Sequence, residues 1–242
     1  MVEIGCLARF FNRYESEVNF AKDNGFKLMQ LWYDNRGLCL HQDDSDFIET
    51  INRYKFPTII HAVLNINEFY KHIPELINIM KALKHKELII HPICQNEKID
   101  ENTLYKLDKS IKFALNLLDQ EGFVLYLENN SKIDPIFTDP HEIEFIFKSN
   151  KNLEFILDLA HIDNYEHLKS MVDIKFPKFL HLTDSRFSVV HEHLPVGGGD
   201  IDFEYIFKNI LTNYEGKIIL EIVNTDLDIV NSKDIIEKIL NS

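Results

Sequence analysis

Histidine, aspartate and glutamate side chains recur at the ends of short apolar runs in this 242-residue sequence. The residues that share this position are His61, His91, Glu128, Asp158, His181 and Glu221, and two more, His161 and Asp184, each follow a member of the set by three residues. If the runs are parallel strands of one barrel, their carboxyl ends meet at one mouth. Carboxylates gathered there would repel each other unless protons or a cation compensate. Mixed carboxylate and imidazole groups suit a divalent ion such as Zn, Mn, Fe or Co, so the sequence predicts a metal site.

The apolar runs that would position these groups occur eight times, at intervals of about 25 to 40 residues, the spacing of strand–helix units. They begin near Glu3, Leu28, Thr58, Glu87, Phe123, Leu153, Pro177 and Lys217. Their near-continuous apolar character suits a parallel sheet buried on both faces, and the segments between them keep helical periodicity. The sequence therefore predicts one domain, residues 1–242, folded as a single (β/α)8 barrel, a fold that typically needs about 250 residues.

An open doubly wound sheet is the alternative arrangement of eight such units. That fold favours a glycine-rich phosphate-binding turn after the first strand. Here the first run continues into Ala8-Arg9-Phe10-Phe11-Asn12, which contains no glycine. The barrel is therefore the favoured prediction.

Composition and charge limit the class of protein. The net charge of −13 argues against a broadly basic surface that coats nucleic acid. The three cysteines, Cys6, Cys39 and Cys94, are odd in number and far apart, which disfavours a disulfide framework and favours a reducing compartment. The sequence has no leader pattern and no apolar run approaching about 18 residues. We therefore expect a cytoplasmic protein that does not associate with membranes.

Five segments carry a family resemblance. In chain order they are LYLENN, LDLAH, HLTDSR, HLPVGGGDIDF and ILEIV. Together they resemble the xylose-isomerase-like superfamily, which includes sugar-phosphate isomerases and epimerases and the endonuclease IV-type abasic-site (AP) endonucleases of family 2. The resemblance extends from Ile60 to Val223, and the first two strands are compatible with it.

The resemblance implies a set of metal ligands. The shared ion would be held by Glu128, Asp158, His181 and Glu221, and His161 would sit beside it as a substrate ligand. In the endonuclease branch the position of His161 binds a further zinc, and His61, His91 and His193 also fall where that branch places ligands for additional ions. In the isomerase branch the same three histidines line a one-metal pocket and bind substrate. His191 stands where the repair enzymes have an aspartate, which leaves the third ion an open question.

The loop after the seventh run offers further candidates. The backbone N–H groups of Gly197-Gly198-Gly199 could form an anion site, or the glycines could only make a turn. The superfamily often has a glutamate where this chain has Gly198. Arg186 could bind a phosphate or a hydroxyl of the substrate, or lie solvated in the loop. Trp32 and Tyr33, at the end of the second run, could stack on a sugar or pack at the mouth.

The favoured reaction is isomerisation or epimerisation of a sugar or sugar phosphate through an enediolate. Glu128 and Glu221 would be the catalytic acid and base, and His161 and Arg186 would orient substrate oxygens. The first alternative is metal-dependent hydrolysis of abasic-site DNA by two or three ions bridged by Glu128. The short connection from His61 to Asn67 and the absence of a basic stripe in the sequence count against DNA. The second alternative is a catalytically silent sugar-binding relative.

Overall fold

The computed structural model describes residues 2–40, 46–95 and 97–242, and a ring of parallel strands forms its centre. The strands are β1 (Glu3–Leu7), β2 (Met29–Asp34), β3 (Gly37–Leu38), β4 (Thr58–Asn65), β5 (Glu87–Ile93), β6 (Val124–Glu128), β7 (Glu154–Asp158), β8 (Phe179–Leu182) and β9 (Lys217–Leu220). The helices are α1 (Tyr14–Asp23), α2 (Phe47–Tyr54), α3 (Phe69–Leu83), α4 (Glu101–Gln120), α5 (Pro140–Ser149), α6 (Tyr165–Ile174), α7 (Phe203–Asn209) and α8 (Asp226–Leu240).

The order of the strands closes the sheet into a barrel. All strands except β3 pair in parallel, in the order β1, β9, β8, β7, β6, β5, β4, β2, and β1 pairs again with β2. This closure confirms the predicted (β/α)8 barrel and excludes the open doubly wound sheet. The short strand β3 pairs antiparallel with the end of β2 and makes a hairpin at the mouth, which the eight-run pattern does not predict.

The outer faces of the strands are covered by amphipathic helices. Helix α3 shows the predicted pattern: Ile73, Leu76, Ile77 and Met80 are buried at intervals of three and four residues. A fully buried side chain of this size contributes about 1.5–3 kcal/mol through removal of apolar surface from water. This outer core holds the strands in a register that sets the geometry of the mouth.

Inside the barrel, an apolar layer lies directly beneath a polar one. Because alternate residues of a strand share a face, each apolar residue of the lower layer is followed two positions later by a polar residue of the upper layer. The pairs are Leu28 and Gln30, Ile59 and His61, Ile89 and His91, Tyr126 and Glu128, Ile156 and Asp158, Phe179 and His181, and Ile219 and Glu221. Strand β1 contributes Gly5, where a Cβ atom would lie 2.8 Å from Leu28 Cγ and 2.9 Å from Ile219 Cδ1. The glycine therefore lets the two neighbouring side chains fill the interior.

The three cysteines are free thiols, as the sequence predicts. Cys6 is buried in the core, and this burial raises the pKa of its thiol. Across the described ranges, we find no helix with the length and apolar character needed to cross a membrane.

His85, at the end of α3, makes the stability of the protein sensitive to acid. Its Nε2 lies 2.7 Å from Thr58 Oγ1, and burial lowers its pKa from 6.5 to about 4. As the pH falls below 6.5, the unfolded chain takes up this proton before the folded chain does. The stabilisation present above pH 6.5 is therefore lost toward pH 4, and we expect a loss of about 2 kcal/mol between pH 7 and pH 5.

Urea unfolding of the wild type and of His85→Gln at both pH values measures this effect. Other titrating groups contribute equally to both proteins, so their contribution cancels in the difference. The prediction is wrong if the two proteins lose the same free energy of unfolding on acidification.

Candidate metal centre

Four side chains at the carboxyl ends of neighbouring strands come together as the sequence predicts. Glu128 ends β6, Asp158 ends β7, His181 lies in β8, and Glu221 follows β9. Asp158 and His181 are direct partners in the β7–β8 pairing. One ligand atom from each of the four residues lies within 4.8 Å of the others, and all four residues are buried. We call this group the tetrad.

The carboxylates and imidazoles in and beside the tetrad shift each other's pKa values. Burial alone would raise the pKa of Glu128, but the imidazoles of His181 and His61 hold it well below its usual range. Burial also opposes a charged imidazole at His181, yet the carboxylates of Glu221 and Glu128 raise its pKa to about 9. Below that pH the imidazole of His181 therefore carries a proton that offsets part of the negative charge of Glu128 and Glu221. A divalent cation can supply the same compensation.

Asp158 provides a direct test of whether the tetrad fits a metal. Its Oδ1 accepts a hydrogen bond from the backbone N–H of Ala160 at 2.7 Å. Its Oδ2 is buried and accepts no hydrogen bond among the described residues, although it lies 3.3 Å from His161 Nε2. A buried carboxylate oxygen without a donor is costly unless an ion or a proton meets it. The donor set and this oxygen therefore fit a divalent metal.

A second group of possible ligands shares Glu128 with the tetrad. Glu128 Oε1 lies 2.9 Å from His181 Nδ1, whereas its Oε2 lies 2.6 Å from His61 Nε2 and 3.3 Å from His91 Nδ1. The ligand atoms of His61, His91 and Glu128 form a group with the separations of a metal site. The other ring nitrogen of His91, Nε2, lies 3.8 Å from Asp134 Oδ2. The two oxygens of Glu128 thus face two different ligand groups, which is the geometry of a bridging carboxylate.

A third group consists of three histidines at the rim of the tetrad. His161, His191 and His193 bring their ring nitrogens within metal-site separations, and His161 Nε2 lies 3.1 Å from His191 Nδ1. His161 Nδ1 donates to the backbone carbonyl of Asn129 at 2.9 Å, which fixes the ring. His193 Nε2 is buried and has no hydrogen-bond partner in the described part of the chain. His191 thus offers a potential metal ligand at this rim.

Three other predicted candidates lie away from the tetrad. Arg186 is 53% exposed at its side chain and forms an ion pair with Glu192. Tyr33 is fully buried, and its hydroxyl lies 2.8 Å from His72 Nδ1. Trp32 is half-buried and meets His61 edge-on, with ring centroids 5.5 Å apart. The structure thus places Arg186 at the surface, Tyr33 in the core and Trp32 beside His61.

Asp184 accepts a hydrogen bond from one of the three loop glycines, for which the sequence leaves open an anion site or a turn. Its Oδ2 accepts from the N–H of Gly197 at 2.8 Å, and its Oδ1 accepts from the N–H of Ile201 at 3.1 Å. A Cβ atom at Gly199 would lie 2.4 Å from Asp184 Oδ1 and 2.5 Å from the carbonyl oxygen of Ser185, so the approach requires glycine. These N–H groups therefore bind the chain's own carboxylate, and the loop that carries His191 and His193 is anchored by it.

We expect Asp184→Asn to lower the free energy of unfolding by about 2 kcal/mol, because an amide nitrogen cannot accept from the buried N–H groups and unsatisfied donors cost about 1–3 kcal/mol. Asp200→Asn is the matched control, since the exposed Asp200 accepts a single hydrogen bond, from Phe187 N at 3.2 Å. Urea unfolding compares the two variants. Equal free energies of unfolding would contradict the anchoring role of Asp184.

The sequence analysis missed Gln30, the polar residue that β2 contributes to the upper layer. Gln30 Nε2 donates to Glu221 Oε1 at 2.6 Å, and its Oε1 lies 2.8 Å from His181 Nε2. The feature of the sequence that could have indicated Gln30 is its position as a polar residue within the apolar run LMQLWY. The strand-end pattern points to the end of that run, whereas the inward-facing polar residue of β2 is the third one of the run.

Comparison with known proteins identifies the family: the chain belongs to the xylose isomerase-like TIM barrel family, whose model matches residues 18–241. Among solved structures, L-ribulose 3-epimerase superposes with a TM-score of 0.74 at 14% identity, covering 100% of this chain and 95% of that chain. The IOLI protein with a bound zinc atom superposes with a TM-score of 0.71 at 14% identity, covering 98% of each chain. An AP endonuclease of family 2 from Brucella melitensis superposes with a TM-score of 0.67 at 14% identity, covering 91% of this chain and 93% of that chain. At these identities the superpositions establish the fold alone. A comparison with curated protein sequences finds no match.

Proposed function

We propose that the protein is a divalent-metal-dependent isomerase or epimerase of a sugar or sugar phosphate. The observation that carries the proposal is the arrangement of two carboxylates around one imidazole in the tetrad. Glu128 Oε1 lies 2.9 Å and Glu221 Oε1 lies 3.5 Å from His181 Nδ1. Two carboxylates that approach the site from different strands, Glu128 from β6 and Glu221 from the end of β9, suit removal of a proton from a substrate carbon and its return.

The tetrad would hold Zn, Mn, Fe or Co, and the bound ion would supply Lewis-acid polarisation of a substrate carbonyl. Glu128 and Glu221 would act as base and acid on the carbon next to that carbonyl, through an enediolate. An epimerisation needs one group on each face of this carbon. His161, whose Nδ1 is held by Asn129, would bind a substrate oxygen through Nε2. Arg186 stays a predicted substrate-binding residue, and its pairing with Glu192 would have to open first.

The comparisons support the same class of chemistry. L-ribulose 3-epimerase shares the fold over the whole of this chain, and the IOLI structure contains a zinc atom. The proposal takes from them only a type of substrate, a small sugar, and a type of ion. It takes its residues from the tetrad itself.

Hydrolysis of abasic-site DNA is the second candidate, and one observation favours it. Glu128 faces two ligand groups with its two oxygens, and the three histidines of the rim make a third group. A cluster of two or three ions with a bridging carboxylate is suited to phosphodiester hydrolysis. The net charge of −13 speaks against a DNA-binding surface.

One preparation of protein, loaded with Zn, Mn, Fe or Co and analysed for metal content, tests both candidates. We expect about one ion per chain, and deuterium from heavy water entering the carbon next to the carbonyl of a ketose or aldose in a panel that includes sugar phosphates. The same preparation is assayed for nicking of DNA with an abasic site. If the protein nicks this DNA, incorporates no deuterium into any sugar and binds two or three ions per chain, the isomerase proposal is wrong and the hydrolase is the better assignment. Sugar binding with neither activity would indicate the catalytically silent relative.

A further inference from the structure

Gln30 is a buried amide that contacts two members of the tetrad. Its side chain is fully enclosed, and the two ends of its amide lie 2.6 Å from Glu221 Oε1 and 2.8 Å from His181 Nε2. It enters the upper layer of the barrel from β2, whereas Glu221 and His181 enter from the opposite side of β1 in the strand order. Gln30 therefore ties the tetrad to a strand that supplies none of its ligands.

The chemistry of the three groups fixes the direction of both hydrogen bonds. An ionised carboxylate can only accept, so the NH2 end of Gln30 must face Glu221. The oxygen of Gln30 then faces His181 Nε2, and this nitrogen must carry the hydrogen. His181 Nδ1 is left as the nitrogen that points at the tetrad, where it lies 2.9 Å from Glu128 Oε1. One side chain thus determines which nitrogen of His181 is offered to a metal.

We propose that Gln30 is a positioning residue of the metal centre: it holds His181 protonated on Nε2, so that Nδ1 binds the ion, and it orients the Glu221 carboxylate through Oε1. Histidine ligands in metalloproteins generally donate their second N–H to an oxygen acceptor, and loss of that partner typically weakens metal binding about 10- to 100-fold. The proposal rests on the tetrad as the metal site. It does not depend on which reaction occurs there.

Among the other imidazoles of the mouth, His161 meets an oxygen at hydrogen-bond distance through its second nitrogen, whereas His61 Nδ1 is buried without a partner among the described residues. His161 Nδ1 meets the carbonyl oxygen of Asn129 at 2.9 Å, and His91 Nε2 lies 3.8 Å from Asp134 Oδ2. Neither of these oxygens belongs to a side chain that also contacts a tetrad carboxylate. Gln30 couples the orientation of an imidazole to that of a carboxylate, so its loss disturbs two ligands at once.

The affinity of the full-length metal-free protein for Zn²⁺, measured by competition with a chelator, tests the proposal. We expect Gln30→Leu to bind Zn²⁺ about 10- to 100-fold more weakly than the wild type. Asn12→Leu is the matched control, because Asn12 also donates an amide hydrogen to a carboxylate, Glu17 Oε1 at 2.8 Å, but does not contact the tetrad. We expect this control to bind Zn²⁺ as the wild type does. The visible spectrum of the Co²⁺-loaded protein should change in Gln30→Leu and stay unchanged in Asn12→Leu.

A second measurement does not depend on the variant folding. Nitrogen-15 shifts of the imidazoles in the Zn²⁺-loaded wild type should show His181 protonated on Nε2 and bound through Nδ1. Binding through Nε2, or wild-type Zn²⁺ affinity in a folded Gln30→Leu variant, overturns the role of Gln30 alone. A wild type that binds no Zn²⁺ overturns the tetrad itself and this proposal with it.

Discussion

Asp158→Asn and His181→Ala are each expected to weaken metal binding by more than 100-fold while the barrel stays folded. Loss of a residue that only hydrogen-bonds to a metal ligand already weakens metal binding about 10- to 100-fold. Loss of a ligand itself should therefore weaken it more. Both residues lie in the upper layer of the mouth, and the apolar layer beneath them stays intact, so the fold should survive. Elemental analysis of the purified, metal-loaded variants and their circular dichroism give the two readouts.

Asp163→Asn is the control for this experiment, since Asp163 lies near the mouth but pairs with Lys132 at the surface. It should keep the wild-type metal content. If Asp158→Asn and His181→Ala also keep it, the tetrad is not the primary metal site.

The second large effect is expected on proton transfer. Glu128→Gln and Glu221→Gln should each reduce deuterium incorporation into the sugar by about 100- to 10,000-fold, the range of general acid–base catalysis. An amide cannot accept the proton and is a poorer metal ligand, so the rates must be expressed per bound ion. Nuclear magnetic resonance of the sugar in heavy water measures the exchange.

His167→Gln provides the matched control, because His167 is held outside the tetrad by the backbone oxygen of Thr138 at 3.0 Å. It should exchange deuterium at the wild-type rate. Retention of full exchange per bound ion in both glutamine variants would remove Glu128 and Glu221 from the chemistry, even if the enzyme proves to be an isomerase.

The barrel was predictable because its signal is repeated along the chain. Eight apolar runs with helical segments between them leave few ways to close a sheet, and the missing glycine turn after Leu7 removed the main alternative. The convergence of Glu128, Asp158 and His181 followed from the same repeat, since strand ends of a parallel barrel share one mouth. The hairpin made by β3 was not predictable from it, because two residues show no periodicity.

The loops explain what the sequence could not predict. Arg186 is a predicted substrate-binding residue because of its place after β8, and the sequence does not show that it pairs with Glu192 of the same loop. Of the glycines at 197–199, Gly197 donates to a carboxylate, but the sequence does not show that this carboxylate is Asp184 of the chain itself. Gln30 was not predicted for a different reason. Its contact with Glu221 depends on its position on the inward face of β2. The alternation of residues along the strand defines that face, whereas the end of the apolar run does not.

The two stacked layers inside the barrel have a consequence for how such a protein can change during evolution. Residues two positions apart on one strand, such as Tyr126 and Glu128, serve different purposes. The lower residue packs in the barrel interior, whereas the upper one contributes to the candidate metal site. During evolution, upper residues can therefore be exchanged for others that suit a new ion or substrate without repacking the apolar layer beneath them. Changes in the lower positions must instead keep the packing of the barrel interior, so the demands of chemistry and of folding fall on different residues of the same strand.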